Sequence, residues 1–355
     1  MHSFSSRLIR WQRQHGRHDL PWQGQDAYRV WLSEIMLQQT QVATVIPYYL
    51  RFIASFPTIT ALAAASEDEV LAHWSGLGYY ARGRNLHKAA RIVVEKFSGE
   101  FPRQLEDIVE LPGIGRSTAA AICALAFHER RAILDGNVKR VLARYCAVAG
   151  WTGEKRVESA LWQHAERLLP ENDVATYIQG LMDMGATLCV RGKPKCPVCP
   201  VRDDCAALAT GCVQTLPTPR PRKSVPGRNT VMLMLSHGNE ILLEKRAPHG
   251  VWGGLWSFPQ FDDAAKARAW CGQHGIEILS ERRLEPFIHV FTHFKLHITP
   301  LWLTLRRKPV WAAQSDSMWH PADAPVRAAI PAPIRVLLAN AGCALAGDEA
   351  AKQIG

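Results

Sequence analysis

Residues 110–122 read ELPGIGRSTAAAI. The preceding LEDIVEL has helical spacing and should stop at Pro112–Gly113, with a new helix beginning near Arg116. Two glycines two apart, Gly113 and Gly115, let the backbone turn tightly and aim its N–H groups outward at a helix start. That geometry suits a phosphate oxygen, to which Ser117 and Thr118 could add hydroxyl donors. It equally suits a plain corner between two helices, with glycines as C-caps.

About twenty residues on comes ILDGNVKRVLARY, where Asp135 precedes an amphipathic helix bearing Val138, Val141 and Leu142. An aspartate there is an N-cap worth about 1 kcal/mol. It is also a fixed anion, suited to face a developing cation near a bound backbone. Upstream, AYRVWLSEIMLQQTQVATVIP (residues 27–47) contains Glu34, whose helical neighbours are Val30, Trp31, Leu37 and Gln38. Three of those four are apolar. A carboxyl among them would be desolvated, its pKa would rise, and it could hold a proton near neutrality. The bland alternative is a surface glutamate beside a hydrophobic face.

Other segments of the first 210 residues show apolar residues three and four apart: RNLHKAARIVVEKF, VESALWQHAERLL and ATYIQGLMDMGATL. SEDEVLAHW opens with a capping-box pattern, Ser66 followed by Glu69. LPTPRPRKSVPGR, residues 216–228, then carries four prolines and four basic residues and cannot form a regular helix. Beyond it the pattern changes to short strands: TVMLMLS, ILLEKR, LWSFPQF, and others near IHVFTHFKLHI and LWLTLRR. AAKARAWCGQ and IRVLLANAG read as helices. The expected domains are 1–215, a linker at 216–228, and an α+β domain at 229–355.

Composition narrows the function classes. The 355 residues are 47% hydrophobic and 21% charged, with a net charge of +10 that favours a polyanionic partner. No apolar run approaches the roughly 20 residues that span a bilayer, and MHSFSSRLIRWQRQHGRHDL has no apolar signal segment. No membrane association is expected, and the chain should be cytoplasmic. There, nine cysteines argue against a disulfide framework. Five are scattered (Cys123, Cys146, Cys212, Cys271, Cys343) and read as buried or half-buried thiols. The other four fall in CVRGKPKCPVCPVRDDC, residues 189–205: Cys189, Cys196, Cys199 and Cys205. Four thiolates suit tetrahedral zinc or a [4Fe–4S] cluster. The basic residues among them (Arg191, Lys193, Lys195, Arg202) suit phosphates.

The hairpin, the spacing and the helix-heading Asp135 together resemble the signature of helix-hairpin-helix base-excision DNA glycosylases. WLSEIMLQQTQVATVIPYY, LPWQ, WSGLGYYARGRNLHKAA, ILDGNVKRVLARY and the cysteine loop resemble MutY-type adenine DNA glycosylases, from about residue 5 to 340. The resemblance implies a multidomain fold: an all-α helix-hairpin-helix glycosylase domain with an iron–sulfur loop, then an α+β Nudix-like domain. It makes Glu34 the catalytic acid and Asp135 the transition-state-stabilising aspartate. Cys189, Cys196, Cys199 and Cys205 would ligate one [4Fe–4S] cluster. Gln39 and Tyr79 would wedge into the duplex, Trp22 would lie in the segment lining the adenine pocket, and Gly113, Gly115, Ser117, Thr118 and Lys139 would contact DNA. Arg82 and Arg84, after the tyrosine pair, would meet phosphates. Glycosylase/lyases of the endonuclease III type carry a lysine where this chain has Ser117, so a monofunctional hydrolase is expected.

LLEKRAPHGVWGGLWSFPQF resembles the opening of Nudix domains, but DDAAKARAWCGQHG follows without the REXXEE cluster that holds their metal. A Nudix-like fold without that catalysis is expected. HVFTHF (289–294) is similar to the family's F-S-H lesion-reading loop, which assigns Phe291, Thr292 and His293 to 8-oxoguanine, with threonine replacing the usual serine. The implied substrate is duplex DNA with A:8-oxoguanine or A:G mispairs, bound by a nucleoid-associated monomer.

Overall fold

The computed structural model describes residues 3–221, 224–313, 316–326 and 328–354. Arg222 and Lys223 of the basic linker lie outside the described residues. The chain forms two compact units, 1–65 with 81–222, and 66–80 with 223–355. No helix among the described residues is long and apolar enough to cross a membrane.

The first unit is helical. It holds α1 (Phe4–His15), α2 (Ala27–Leu37), α3 (Val42–Ser55) and α4 (Ile59–Ala64); α5 (Glu67–Trp74) belongs to the second unit. It continues with α6 (Ala81–Phe97), α7 (Leu105–Glu110), α8 (Arg116–Ala126), α9 (Gly136–Tyr145), α10 (Lys155–Arg167), α11 (Val174–Thr187) and the short α12 (Ala206–Ala209). Burial of the apolar stripes holds them together. Leu8 of α1, Leu142 of α9, Leu161 of α10 and Ile178 of α11 meet in one core, each burial contributing on the order of 1.5–3 kcal/mol. The hairpin forms where expected, between α7 and α8. Gly113 has φ +84°, and a Cβ there would sit 3.0 Å from the Asn85 Cβ, so any other residue is strained and crowded.

The second unit contains one mixed eight-stranded sheet. Its strands are β1 (Gly227–His237), β2 (Glu240–Lys245), β3 (Trp256–Ser257), β4 (Gln260–Phe261), β5 (Ile278–Arg283), β6 (Phe287–Val290), β7 (Lys295–Leu305) and β8 (Ser317–Pro321). The main path runs β3-β2-β1-β7-β5, and β1 and β7 pair in parallel. Helix α13 (Ala264–Gln273) buries Ala267 and Cys271 among the apolar residues of one sheet face. Helix α14 (Ala332–Ile354) buries Ile334, Leu337 and Leu338 in the core that contains Met232, Met234 and Ile298. The capping box of α5 forms: Ser66 N–H donates to Glu69 Oε2 at 2.8 Å, and Glu69 N–H donates to Ser66 Oγ at 3.2 Å.

Two strands separated in the sequence pattern, KLHI and LWLTL, are one continuous β7 despite Pro300. The reason lies in the pairing. β6 pairs with residues 295–298 of β7 and β5 with residues 301–305. Pro300 therefore falls at the seam between two partners, where its missing N–H breaks no ladder. Cys343 is also corrected: it is exposed, not buried.

Candidate active site

Glu34 projects from α2, whose Val30, Trp31, Leu32 and Ile35 are all buried. Its residue surface is half-buried, but the carboxyl itself is surrounded by protein. Burial first, then the neighbouring Asp135 carboxylate, pushes its pKa up to about 8. No donor among the described residues pulls it back.

Asp135 is the N-cap of α9, its Oδ1 accepting from Val138 N–H at 2.7 Å. Burial raises its pKa too, against the opposing pull of the Val138 and Asn137 N–H groups, Arg140 and Lys139. The two carboxyls thus differ in kind. Helix N–H groups and two cations stabilise charge on Asp135; nothing comparable stabilises it on Glu34. Of the coupled pair, Glu34 keeps the proton and Asp135 carries the negative charge.

The segment leading to Asp135 is fixed by Ser117, whose Oγ accepts from Leu134 N–H at 2.9 Å. That engages one side of the hydroxyl read as a phosphate donor. Farther along α9, Arg140 donates to the Cys189 carbonyl at 2.7 Å, the Gly185 carbonyl at 2.6 Å and Asn137 Oδ1 at 2.8 Å. Arg144 donates to Cys189 Sγ at 3.4 Å and to the Val190 and Leu216 carbonyls, both at 2.8 Å. One helix therefore carries Asp135 at its start and clamps the cysteine loop along its length.

Cys189, Cys196, Cys199 and Cys205 line one cavity with Arg144. The four thiols ring this space, and among the described residues no three potential ligands close in tightly enough to hold a single ion. Burial first, and then the neighbouring cysteines, push the Cys199 thiol up to about 11; a cationic iron core would relieve that repulsion. The donor set fits a cluster. Arg191, Lys193, Lys195 and Arg202 are exposed on the same loop.

Other expected residues divide. Gly113 and Gly115 are exposed at the hairpin, and no side chain caps α8, so its first N–H groups face outward. Ser117 and Thr118 are half-buried. Lys139 is ion-paired with Glu158 at 2.6 Å. Gln39 is exposed at φ 58°, and Tyr79, in the second unit, is 53% exposed at φ 49°. A left-handed backbone at a residue with a large side chain is costly. Trp22 is buried, its ring meeting Tyr49 edge-on at 5.3 Å.

Arg82 is a correction. It does not face outward to a phosphate; it is buried, donating to the carbonyls of Ile35 (2.9 Å), Met36 (2.7 Å) and Gln38 (2.6 Å). The sequence reading also missed Arg140 and Arg144. Their signal was available: two arginines four apart on the helix that also supplies Val141 to the core.

In the second unit Phe291 N–H donates to the Phe294 carbonyl at 2.9 Å, closing a tight turn between β6 and β7. Phe291 stacks on Phe294 at 4.4 Å and meets His289 at 4.6 Å and Trp252 at 5.5 Å. Thr292 and His293 remain exposed at the tip. Helix α13 carries no acidic residue.

A family profile described as "HhH-GPD superfamily base excision DNA repair protein" matches residues 32–167, and one for a NUDIX domain matches residues 230–340. The adenine DNA glycosylase of Buchnera aphidicola subsp. Acyrthosiphon pisum (strain APS) is 38% identical over 95% of this chain and 97% of its own length. The chain belongs to the adenine DNA glycosylase family. As a family member it is a base-excision enzyme, a hydrolase of N-glycosyl bonds, with a helical helix-hairpin-helix unit followed by a Nudix-like one. The Homo sapiens adenine DNA glycosylase is 34% identical, over 89% of this chain and 70% of that protein. A solved thermostable thymine-DNA glycosylase aligns at 30% identity and a TM-score of 0.53, covering 58% of this chain and 95% of that one.

Proposed function

We propose that the chain is a monofunctional glycosylase that removes adenine paired with 8-oxoguanine, or less selectively with G, from duplex DNA. The observation that carries this is the pairing of a proton-holding Glu34 with a capped, charged Asp135. Loss of adenine leaves an oxocarbenium-like sugar and an adenine anion, both too unstable to form quickly in water. Glu34 donates its proton to N7 as the C1′–N9 bond breaks and its electrons pass to the base. Asp135 stabilises the cation at C1′. Glu34, now a carboxylate, takes a proton from the water that adds to C1′, and so recovers its starting state. This is two-carboxylate glycoside hydrolysis applied to a nucleoside, and the adenine must first leave the stack, at a cost of a few kcal/mol. Ser117 offers no amine for a Schiff base, which supports hydrolysis without strand cleavage.

Residues 1–215 supply the chemistry, 216–228 the linker and 229–355 the check on the opposite base. Trp22 borders the flipped adenine, and Gln39 and Tyr79 fill the gap it leaves. Gly113, Gly115, Ser117, Thr118 and, once released from Glu158, Lys139 hold the backbone. Phe291, Thr292 and His293 read 8-oxoguanine. Cys189, Cys196, Cys199 and Cys205 hold a [4Fe–4S] cluster whose part is structural, pinning a loop that presents basic groups to phosphates. The enzyme acts as a monomer in the cytoplasm, on the nucleoid.

The test is single-turnover adenine release from a duplex with one A opposite 8-oxoguanine, comparing the wild type with Glu34→Gln. Release by the wild type, lost in a variant that still binds the duplex, is expected. No release by a DNA-binding, cluster-loaded wild type would overturn the proposal.

A further inference from the structure

We propose that the solvent-facing side of β1, β7 and β6 beside the 291–294 turn is a second DNA-docking surface, seated on the sugar–phosphate backbone that flanks the base being read. This rests on the lesion-reading role proposed above and extends it from the base to its backbone.

Register decides which side chains share this face. Ile288 lies opposite His297 and Val290 opposite Lys295 across β6 and β7. Asn229 lies opposite His297, and Gly227 opposite Lys295, across β1 and β7. Directly opposed residues point the same way, so these six form one continuous patch, while Leu296 and Ile298 point into the core. Lys295, His297, Asn229 and Gly227 are exposed, and so are Ile288 (53%) and Val290 (65%). Helix α13 packs on the same face farther along, over Val231, Leu233 and Leu301.

The patch has one sign of charge. Strands β1, β6 and β7 and the turn between the last two contain no aspartate or glutamate. The basic groups on this face and at its tip are Lys295, His297 and His293. Among the described residues no carboxylate pairs with Lys295 or His297, whereas Lys308 pairs with Glu240 and Arg268 with Glu281. Lys295 also donates its N–H to the Pro226 carbonyl at 2.9 Å, tying the patch to the end of the Pro-rich basic linker. Gly227 leaves room where a Cβ would meet His297 Nε2 at 3.3 Å. An ammonium and an imidazole beside two exposed apolar side chains suit a phosphate and the deoxyribose next to it. The turn that presents Thr292 and His293 joins β6 to β7, so docking there would fix the register of the tip on its base.

The test is equilibrium binding of the full cluster-loaded chain to two duplexes, one fully paired and one holding A opposite 8-oxoguanine, over a range of salt. Lys295→Ala should weaken both several-fold and alike, and Lys295→Glu more. The slope of log affinity against log salt should fall by about 1 for the lost phosphate. Lys308→Ala, a basic residue elsewhere in the unit, should change neither. Folded Lys295 variants with affinity within about twofold of wild type and an unchanged slope would overturn the proposal. A loss confined to the 8-oxoguanine duplex would also overturn it, by assigning Lys295 to the base. Failure of the enzymatic proposal would show separately, as a wild type that binds but releases no adenine.

Discussion

Glu34 should write its protonation state directly into the rate of adenine release. An ordinary glutamate, with a pKa near 4.3, is only about 0.2% protonated at pH 7. With its pKa pushed up to about 8, Glu34 is about 90% protonated there. Burial, with the Asp135 carboxylate beside it, thus multiplies the acid form by roughly 400, equivalent to about 3.6 kcal/mol at 1.36 kcal/mol per tenfold. The single-turnover rate constant for release from an A:8-oxoguanine duplex should therefore hold through neutrality and fall about tenfold per pH unit above about 8. An acid limb should also appear, above the usual aspartate range, because Asp135 must be ionised and burial raises its pKa. A rate constant that stays flat to pH 10 with duplex binding intact would refute the assignment of the proton to Glu34. Stability must move the other way. A carboxyl whose folded pKa is raised costs nothing below its unfolded pKa; the cost grows from about 4.3 to about 8 and is then constant. Glu34→Gln should accordingly raise Tm at pH 8 and lose that advantage near pH 5.

Asp135→Asn keeps an equally good N-cap, so Tm at pH 7 should hold or rise while excision falls by roughly 10²–10³, the usual cost of losing a group that stabilises transition-state charge. Cys199→Ser should yield protein with less than stoichiometric iron and weaker duplex binding by anisotropy; stoichiometric zinc and no iron in the wild type would remove the cluster from the account. A purified abasic duplex should not be cleaved rapidly by β-elimination, and fast strand scission on a denaturing gel would contradict the monofunctional assignment at Ser117. Thr292→Ala should reduce the preference for A:8-oxoguanine over A:G, while Thr292→Ser should preserve it, as read from paired single-turnover assays.

The helical half was legible because its signals are local. Hairpin glycines, a capping box at Ser66 and Asp135 heading α9 each state their structure within a few residues. The long-range pieces were not. β5, ILSERR, is exposed at every position and so lacks the alternation that marks a half-buried strand. β8 pairs with β2 and carries only one buried residue, His320. The stretches IHVFTHFKLHI and LWLTLRR read as separate because the sequence does not say that two strands share one edge of β7. At the candidate site the sequence placed Glu34 and Asp135 on their helices. It could not say that they come within electrostatic reach, since that depends on how α2 and α9 pack. Arg82 was misread for the same reason: a guanidinium beside a tyrosine pair looks like a phosphate contact until its carbonyl partners, more than forty residues away, are known.

That arginine bears on transplantation. The turn after α2 is shaped by a side chain more than forty positions downstream, which gathers the Ile35, Met36 and Gln38 carbonyls and contacts Thr40 Oγ1 at 3.1 Å. Residues 38–41 therefore do not encode their own conformation. A graft of WLSEIMLQQTQ onto another helical scaffold would bring the carboxyl but leave Gln39 without the geometry that aims it. The portable unit is discontinuous: the helix and the start of α6 travel together or not at all.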